Sequence, residues 1–288
     1  MKLLVLAPGK SSETTRMIIK ESKKLFSSVD LVPIREVIIG AGKDLGIYYK
    51  TKNLSKYDYL LPRIDSKRAS FGYHIIKFFD NIGMKKPFSA NSVLMAHNKF
   101  STIYELKMAG LPVPDTYYTT SQDSASSLIK KMNYPAVIKL VSSFGGKGVM
   151  FAESEKTGKS IVQTLDLLNQ DLMVEDFIEN PGEDIRVFII GDEYVSMKRI
   201  AKKGERRANV KAGGRTVSFK PTDEQLEVSR KAAEILGAKV CAVDIVESKD
   251  GPQIIELNIN PGIVGISKAT GDNVAQKIAK FCYEEAKK

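Results

Sequence analysis

Two hydrophobic periods alternate along residues 1–95. Leu3-Leu4-Val5-Leu6 is an unbroken apolar run of the kind that forms a strand buried on both faces. Residues 13–26 then space their apolar positions three and four apart, which predicts a helix with one buried face, and 29–33 returns to a strand. Further strands are predicted at 48–50 and 57–61, and a helix at 71–82. The run ending in Pro62 places Arg63 just past the carboxyl end of a strand, where open α/β sheets bind their ligands, so Arg63 is a candidate anchor for a substrate carboxylate. Segment 91–114 reads as one helix with an Asn91/Ser92 cap, carrying Lys99 and stopped by Gly110 before Pro112 and Pro114.

The middle of the chain mixes both periods with turn signals. A helix is predicted at 121–132, then a strand, a glycine-rich loop and a second strand within 135–154, a helix at 158–169 and a strand at 171–180. Lys139 lies inside the apolar strand 137-VIKLV-141, where an ammonium is costly unless it reaches an anion or water. The following loop carries Gly145, Gly146 and Lys147, a composition that lets backbone N–H groups close on phosphate oxygens. It is not a P-loop, because no Ser or Thr follows the Gly-Lys pair and no helix comes after it. Residues 184–201 predict a hairpin turning at Gly191-Asp192, with Asp184 and Arg186 on one face. The loop after it gathers Arg206, Arg207, Asn209, Lys211 and Gly213-Gly214, a mixture suited to capturing phosphate or carboxylate. Thr222 caps a predicted helix to residue 236, and a last helix is expected over 273–285.

The most informative stretch is 240–262. Two Val- and Ile-rich runs flank Lys249-Asp250-Gly251, which predicts a tight hairpin. A turn centred near Asp250 sets Asp244 opposite Glu256, and Asn258 shares Glu256's face because side chains alternate with period two. The other face of the second strand is then Ile255, Leu257 and Ile259, which has to meet a core. Facing carboxylates repel, and a hard divalent cation relieves the repulsion. Two carboxylates and an amide oxygen, with phosphates completing the shell, suit magnesium.

Composition narrows the setting. At 288 residues the chain is long for one core, so two or three domains are expected. With 43% apolar and 27% charged residues and no long apolar run, it reads as a soluble, cytoplasmic protein without a membrane partner. The net charge of +10 favours a polyanionic ligand. Its basic residues are spread along the chain without an aromatic-interleaved signature, so nucleic acid is not expected. Cys241 and Cys282 have no metal-ligand spacing and read as buried thiols. His74 and His97 lack partners at ligand spacing and read as structural.

Taken in order, Lys99, Ile138-Lys139-Leu140 before the glycine-rich loop, Glu175-Asp176-Phe177-Ile178, Asp184-Ile185-Arg186, Arg207-Ala208-Asn209 with Gly213-Gly214, Val243-Asp244-Ile245, and Glu256-Leu257-Asn258 with Asn260-Pro261-Gly262 resemble the ATP-grasp superfamily, and within it the RimK-type glutamate ligases. The likeness covers essentially the whole chain. It implies an α/β (α+β) ATP-grasp fold of three domains, with nucleotide held between two antiparallel sheets. These are a pre-ATP-grasp α/β domain at 1–95, a central subdomain with the glycine-rich lid at 96–180, and a C-terminal domain with the metal site at 181–288. The resemblance further implies that Lys99 and Lys139 contact the nucleotide phosphates under the loop of Gly145, Gly146 and Lys147. Backbone of the Glu175–Ile178 stretch would meet adenine, and Asp184 ribose. Arg207 and Asn209 would face the γ-phosphate and acyl phosphate as catalytic residues, and Asp244, Glu256 and Asn258 would hold Mg2+ or Mn2+. Arg199 and Lys268 would hold glutamate carboxylates. The implied reaction joins L-glutamate, with ATP, to an acidic acceptor, either a protein C-terminus or a polyglutamylated coenzyme. The alternatives are a carrier-protein ligase of lysine or arginine synthesis and an ATP-binding protein without turnover. Whether copies associate into a homo-oligomer is left open.

Overall fold

The computed structural model describes residues 1–9, 11–141, 148–180, 182–202 and 214–288. The chain opens with β1 (Lys2–Ala7), α1 (Glu13–Ser22), β2 (Ser28–Pro33), β3 (Val37–Gly40), β4 (Gly46–Tyr49), β5 (Lys52–Asn53), β6 (Tyr59–Pro62) and α2 (Ala69–Asn81). Two helices follow, α3 (Ala90–His97) and α4 (Lys99–Met108), and then β7 (Thr116–Thr119), α5 (Gln122–Ile129), β8 (Ala136–Leu140), β9 (Val149–Ala152), α6 (Glu155–Leu167) and β10 (Leu172–Asp176). The remainder is β11 (Glu183–Ile190), β12 (Glu193–Ile200), β13 (Arg215–Ser218), α7 (Asp223–Leu236), β14 (Val240–Ser248), β15 (Gly251–Asn258), α8 (Val264–Thr270) and α9 (Val274–Lys287).

The strands form four sheets among the described residues. β1 pairs in parallel with both β2 and β6, as a run buried on both faces requires. β3, β4 and β5 make a small antiparallel flap. The order β7-β10-β8-β9 gives an antiparallel middle sheet, and β13-β12-β11-β14-β15 a larger antiparallel one.

Among the described residues the first and last stretches share their buried cores. Leu4, Leu6 and Ile64 from the first stretch pack with Ile185, Val187, Val243 and Leu257 from the last. On the other side of both sheets Leu3, Val5 and Tyr59 meet Phe188, Ala242 and Ile278. The middle sheet has a core drawn from its own stretch, including Ile129, Ile138, Val162 and Val174. The first and last stretches are therefore welded along both faces.

Two local departures from the expected elements have plain causes. The helix expected in 91–114 is broken at Asn98, whose extended backbone (φ −117°, ψ 109°) ends α3 while its side chain accepts the Ser101 N–H and caps α4. The break puts Lys99 in the first turn of α4 and His97 at the end of α3. The expected stop at Gly110 is present, with φ +78° and its N–H donating to Lys107 O. A short helix, α8, forms where no element was expected.

The second departure sits in the hairpin. Asp244 pairs with Glu256 as expected, but Ile245 pairs with Ile254, so Ile255 is a bulged extra residue. The bulge shifts the phase of β15. Ile254, fully buried, joins Leu257 and Ile259 in the core, and Ile255 is left half-buried. Ile254→Ala is accordingly expected to destabilise the protein by about 2–5 kcal/mol, with Ile255→Ala costing distinctly less. Urea unfolding of the two variants checks this, and equal losses would place the bulge elsewhere.

Candidate functional site

The larger antiparallel sheet concentrates charge on one face by register alone. Asp184 on β11 lies opposite Arg199 on β12, and Arg186, two residues on and hence on the same face, lies opposite Asp244 on β14. Arg186 grips Asp244 with both arms, Nε to Oδ1 and Nη2 to Oδ2, each at 2.7 Å. Arg199 bridges the two acids: its Nη2 donates to Asp244 Oδ2 at 2.8 Å and its Nε to Asp184 Oδ1. Asp184, Arg199 and Asp244 are 6%, 5% and 2% exposed, which is tolerable only because the charges neutralise one another. Burial opposes charge on Asp244, but Arg186 and Arg199 outweigh it and hold the carboxyl at about 2. Among the described residues Asp184 bonds Arg199, and burial pushes its carboxyl up to about 6.

Facing Asp244 across the hairpin, Glu256 is partly exposed and receives Lys99 Nζ at 3.3 Å. Asn258 lies one step along the same face, its Oδ1 accepting the Asn260 N–H at 2.8 Å. Among the described residues no three His, Cys, Asp or Glu side chains converge, so an amide has to supply a third oxygen. An all-oxygen set, with one carboxylate kept ionised by its neighbours, fits a hard dication better than a soft one.

On the middle sheet Lys139 finds the anion that its position demands. Its ammonium reaches Glu175 Oε1 on the adjacent strand, and Glu175 is 3% exposed with Oε2 buried and unpaired. Asp176 donates its backbone N–H to Asp115 O at 3.0 Å, and burial followed by the Asp115 charge raises its carboxyl pKa. Phe177 packs edge-on against Phe151, and the Ile178 carbonyl accepts from Asn180 Nδ2 at 2.9 Å. Gly148 closes the glycine-rich loop at φ +72°, where a Cβ would sit 2.9 Å from Leu140 Cδ1.

The candidate residues are thus brought together unevenly. Asp244, Glu256, Asn258 and Lys99 share one neighbourhood. Arg63 is 6% exposed, its Nη2 donating to Pro261 O at 3.0 Å just past that hairpin. Arg199 departs from expectation: it is buried between two carboxylates and so holds the site's acids in place instead of presenting itself to glutamate. Asp184 is likewise already bonded, so a ribose hydroxyl would have to share it with Arg199. Lys268 is exposed on α8. Gly145, Gly146, Lys147, Arg207 and Asn209 lie outside the described residues. Arg186 was not singled out for the site, although its alternation with Asp184 was the available signal.

These charges give the pH dependence of stability two opposite limbs. Asp244, depressed from 3.8 to about 2, stabilises the fold above pH 4 and loses that contribution as pH falls towards 2. Asp184, raised from 3.8 to about 6, contributes below pH 4 and loses that contribution as pH rises through 6. Asp244→Asn is expected to flatten the acid limb and Asp184→Asn the limb between pH 4 and 6, both read by chemical denaturation across pH. Unchanged slopes would remove the quartet from the account.

Comparison with known proteins agrees with this geometry. Residues 1–93 match the RimK PreATP-grasp domain and residues 96–282 the RimK-like ATP-grasp domain. A protein of Nitrosococcus oceani named "Probable alpha-L-glutamate ligase" is 32% identical over 290 residues, spanning 99% of this chain and 96% of its own length. One of the same name from Coxiella burnetii is 35% identical over 244 residues, 84% of this chain and 81% of its own. Among solved structures, a RimK domain ATP-grasp protein from Sphaerobacter thermophilus superposes with a TM-score of 0.76 at 19% identity, covering 98% of this chain and 99% of that one. The ATP-grasp ligase PsnB, solved with a phosphomimetic variant of its minimal precursor, Mg and ADP, gives 0.74 at 15% identity, covering 99% and 98%. The two antiparallel sheets, the acid-bearing hairpin and the full-length likeness agree on one assignment: the chain belongs to the RimK family of ATP-grasp ligases.

Proposed function

We propose that this enzyme couples cleavage of ATP to ADP and phosphate to the joining of L-glutamate to a carboxylate on an acceptor, a protein C-terminus or a polyglutamylated coenzyme. The observation that carries the reading is the hairpin: Asp244 and Glu256 face each other, with Asn258 beside them, in a chain that matches glutamate ligases along its whole length. The acceptor carboxylate attacks the γ-phosphorus of ATP, the P–O bond to ADP breaks, and an acyl phosphate forms. The amine of glutamate then attacks the acyl carbon and phosphate leaves, completing an amide. Positioning and charge neutralisation supply most of the rate in such transfers.

Each residue's part in this reading follows from its surroundings. Asp244, Glu256 and Asn258 would hold magnesium, which when bound neutralises crowded phosphate oxygens. Arg186 and Arg199 keep Asp244 ionised and aimed. Lys99, at the start of α4, shares Glu256 with the dication and stands beside the phosphates. Lys139 is drawn off Glu175 towards nucleotide phosphate, leaving Glu175's carboxylate at the edge of the base site. Arg207 and Asn209 would meet the γ-phosphate and acyl phosphate, with Gly145, Gly146 and Lys147 closing over them to exclude water. Three domains with boundaries near 95 and 180, and work in the cytoplasm where ATP is plentiful, belong to the same reading. No helix among the described residues is long and apolar enough to cross a membrane.

The test is a mass-shift screen. Purified protein with ATP, Mg2+ and each amino acid is incubated with carboxyl-terminal peptides, polyglutamylated coenzymes and carrier proteins. A gain of glutamyl residues on one acceptor, matched by ADP, is expected. ADP formation with a different amino acid, or on a carrier protein, would correct the substrate. Lys139→Ala, made with Glu175→Gln so that no buried carboxylate is stranded, is expected to raise the KM for ATP about tenfold. An unaltered KM would count against a phosphate role for Lys139.

A further inference from the structure

Eight buried side-chain polar atoms lack a hydrogen-bond partner among the described residues, and four of them gather at one junction: Arg63 Nε, Asp65 Oδ1, His97 Nε2 and Asn260 Oδ1. Each of these side chains is anchored at one end and buried without a hydrogen-bond partner among the described residues at the other. Arg63 Nη2 donates to Pro261 O at 3.0 Å, Asn260 Nδ2 to Ile64 O at 3.1 Å, and Arg68 Nη1 to Asp65 Oδ2 at 2.7 Å. The His97 ring bonds the Ile64 backbone. Arg63 is also a buried cation with no carboxylate partner among the described residues, although burying an unpaired charge is costly. A structure that leaves one guanidinium donor and several acceptors open at the same place is complementary to a ligand carrying both signs of charge.

The junction also has the right address. Asn260 N–H donates to Asn258 Oδ1 at 2.8 Å, and Lys99, two residues past His97, reaches Glu256 at 3.3 Å, so it adjoins the acid-bearing hairpin. Of the four, His97 also lines a cavity of about 490 Å³, together with Ser66, Leu94, Asn98, Ser101 and Glu105. That volume lies within the range of small-molecule sites and accommodates an amino acid.

Building on the ligase reading, we propose that this junction is the subsite for the incoming amino acid: Arg63 binds its α-carboxylate, Asp65 Oδ1 and Asn260 Oδ1 accept from its ammonium, and His97 Nε2 removes the proton that keeps the amine from attacking. The step balances. The ammonium gives one proton to His97 and becomes an amine with a free lone pair; that lone pair forms the C–N bond to the acyl phosphate. The C–O bond to phosphorus breaks with its electron pair on the departing phosphate, which takes the second nitrogen proton.

His97's surroundings suit this work. Its bond to Ile64 leaves Nε2 as the free nitrogen, and burial lowers its pKa, so at neutral pH Nε2 carries a lone pair. Lys99 pushes the same way, and Asp65 pulls the other way, ready to steady the imidazolium once the proton arrives. Glu105 across the cavity and the neighbouring Arg63 and Arg68 are the other charges at this junction. The sequence marked His97 as isolated because its partners come from a loop 32 residues earlier and another more than 160 residues later.

The experiment uses the chain loaded with Mg2+ and ADP and follows the imidazole carbon-bound resonances by NMR. There are only 2 histidines, so exposed His74 serves as the reference and His97→Gln assigns the other signal. L-glutamate is expected to shift the His97 signal, and N-acetyl-L-glutamate, which has no ammonium, is expected to leave it in place. Arg63→Gln and His97→Gln are each expected to weaken L-glutamate about tenfold or more without changing ADP affinity. A His97 signal indifferent to L-glutamate, or one that moves equally with the N-acetyl compound, overturns the proposal. The wild-type titration decides even if Arg63→Gln does not fold. Nucleotide turnover in the acceptor screen is read separately: ADP release with an indifferent His97 sinks only the subsite, and a glutamate-responsive His97 without ADP release sinks only the ligase reading.

Discussion

Asp244 is the carboxylate on which the architecture turns. It is buried in the middle of a sheet, where a lone anion would protonate or unfold its surroundings, and it survives as a carboxylate because two guanidiniums from the neighbouring strands hold it. Those guanidiniums arrive by register: β11 places Arg186 directly opposite, and β12, one strand further out, sends Arg199 across. The sheet order is therefore also a wiring order. On the proposed reading, this anion opposite Glu256 would serve a hard dication from a position fixed in advance, which is the kind of preorganisation that phosphoryl transfer requires.

The same wiring explains why the outer stretches of the chain share their cores. The parallel sheet of β1, β2 and β6 contributes side chains to both cores with the acid-bearing sheet, so the loops after β6 and after β15 are held against each other. Arg63 bonding Pro261, and Asn260 bonding Ile64, are the polar stitches of that seam. The middle sheet keeps its own core and meets the rest near Lys99, whose backbone N–H donates to Val141 O at 3.3 Å. A nucleotide bound between the two antiparallel sheets would thus lie between one fixed wall and one separately packed wall.

How far the sequence could be read depended on how local each signal was. The hairpin of β14 and β15, the Gly110 stop, the Thr222 cap and the facing of Asp244 with Glu256 depend on residues within a few positions of one another, and they were visible. The bulge at Ile255 was not, because counting by twos has no marker for one extra residue, and it moved Ile254 into the core. The split at Asn98 had a signal, an amide three residues before Ser101, that was masked by the continuous apolar pattern around it. Arg199's true partners were out of reach because they depend on which strands become neighbours. The seam that brings the loop of Asp65 to His97 was out of reach for the same reason, since two distant loops leave no spacing to recognise.

The central claim is that Asp244, Glu256 and Asn258 together tether a dication to the nucleotide. Calorimetry of ADP binding with and without Mg2+, on the wild-type chain and on Glu256→Gln, tests it most directly. The account predicts that Mg2+ tightens ADP binding to the wild type by about tenfold or more, and that this gain collapses in the variant while metal-free ADP affinity is retained. An equal Mg2+ enhancement in both proteins would contradict it.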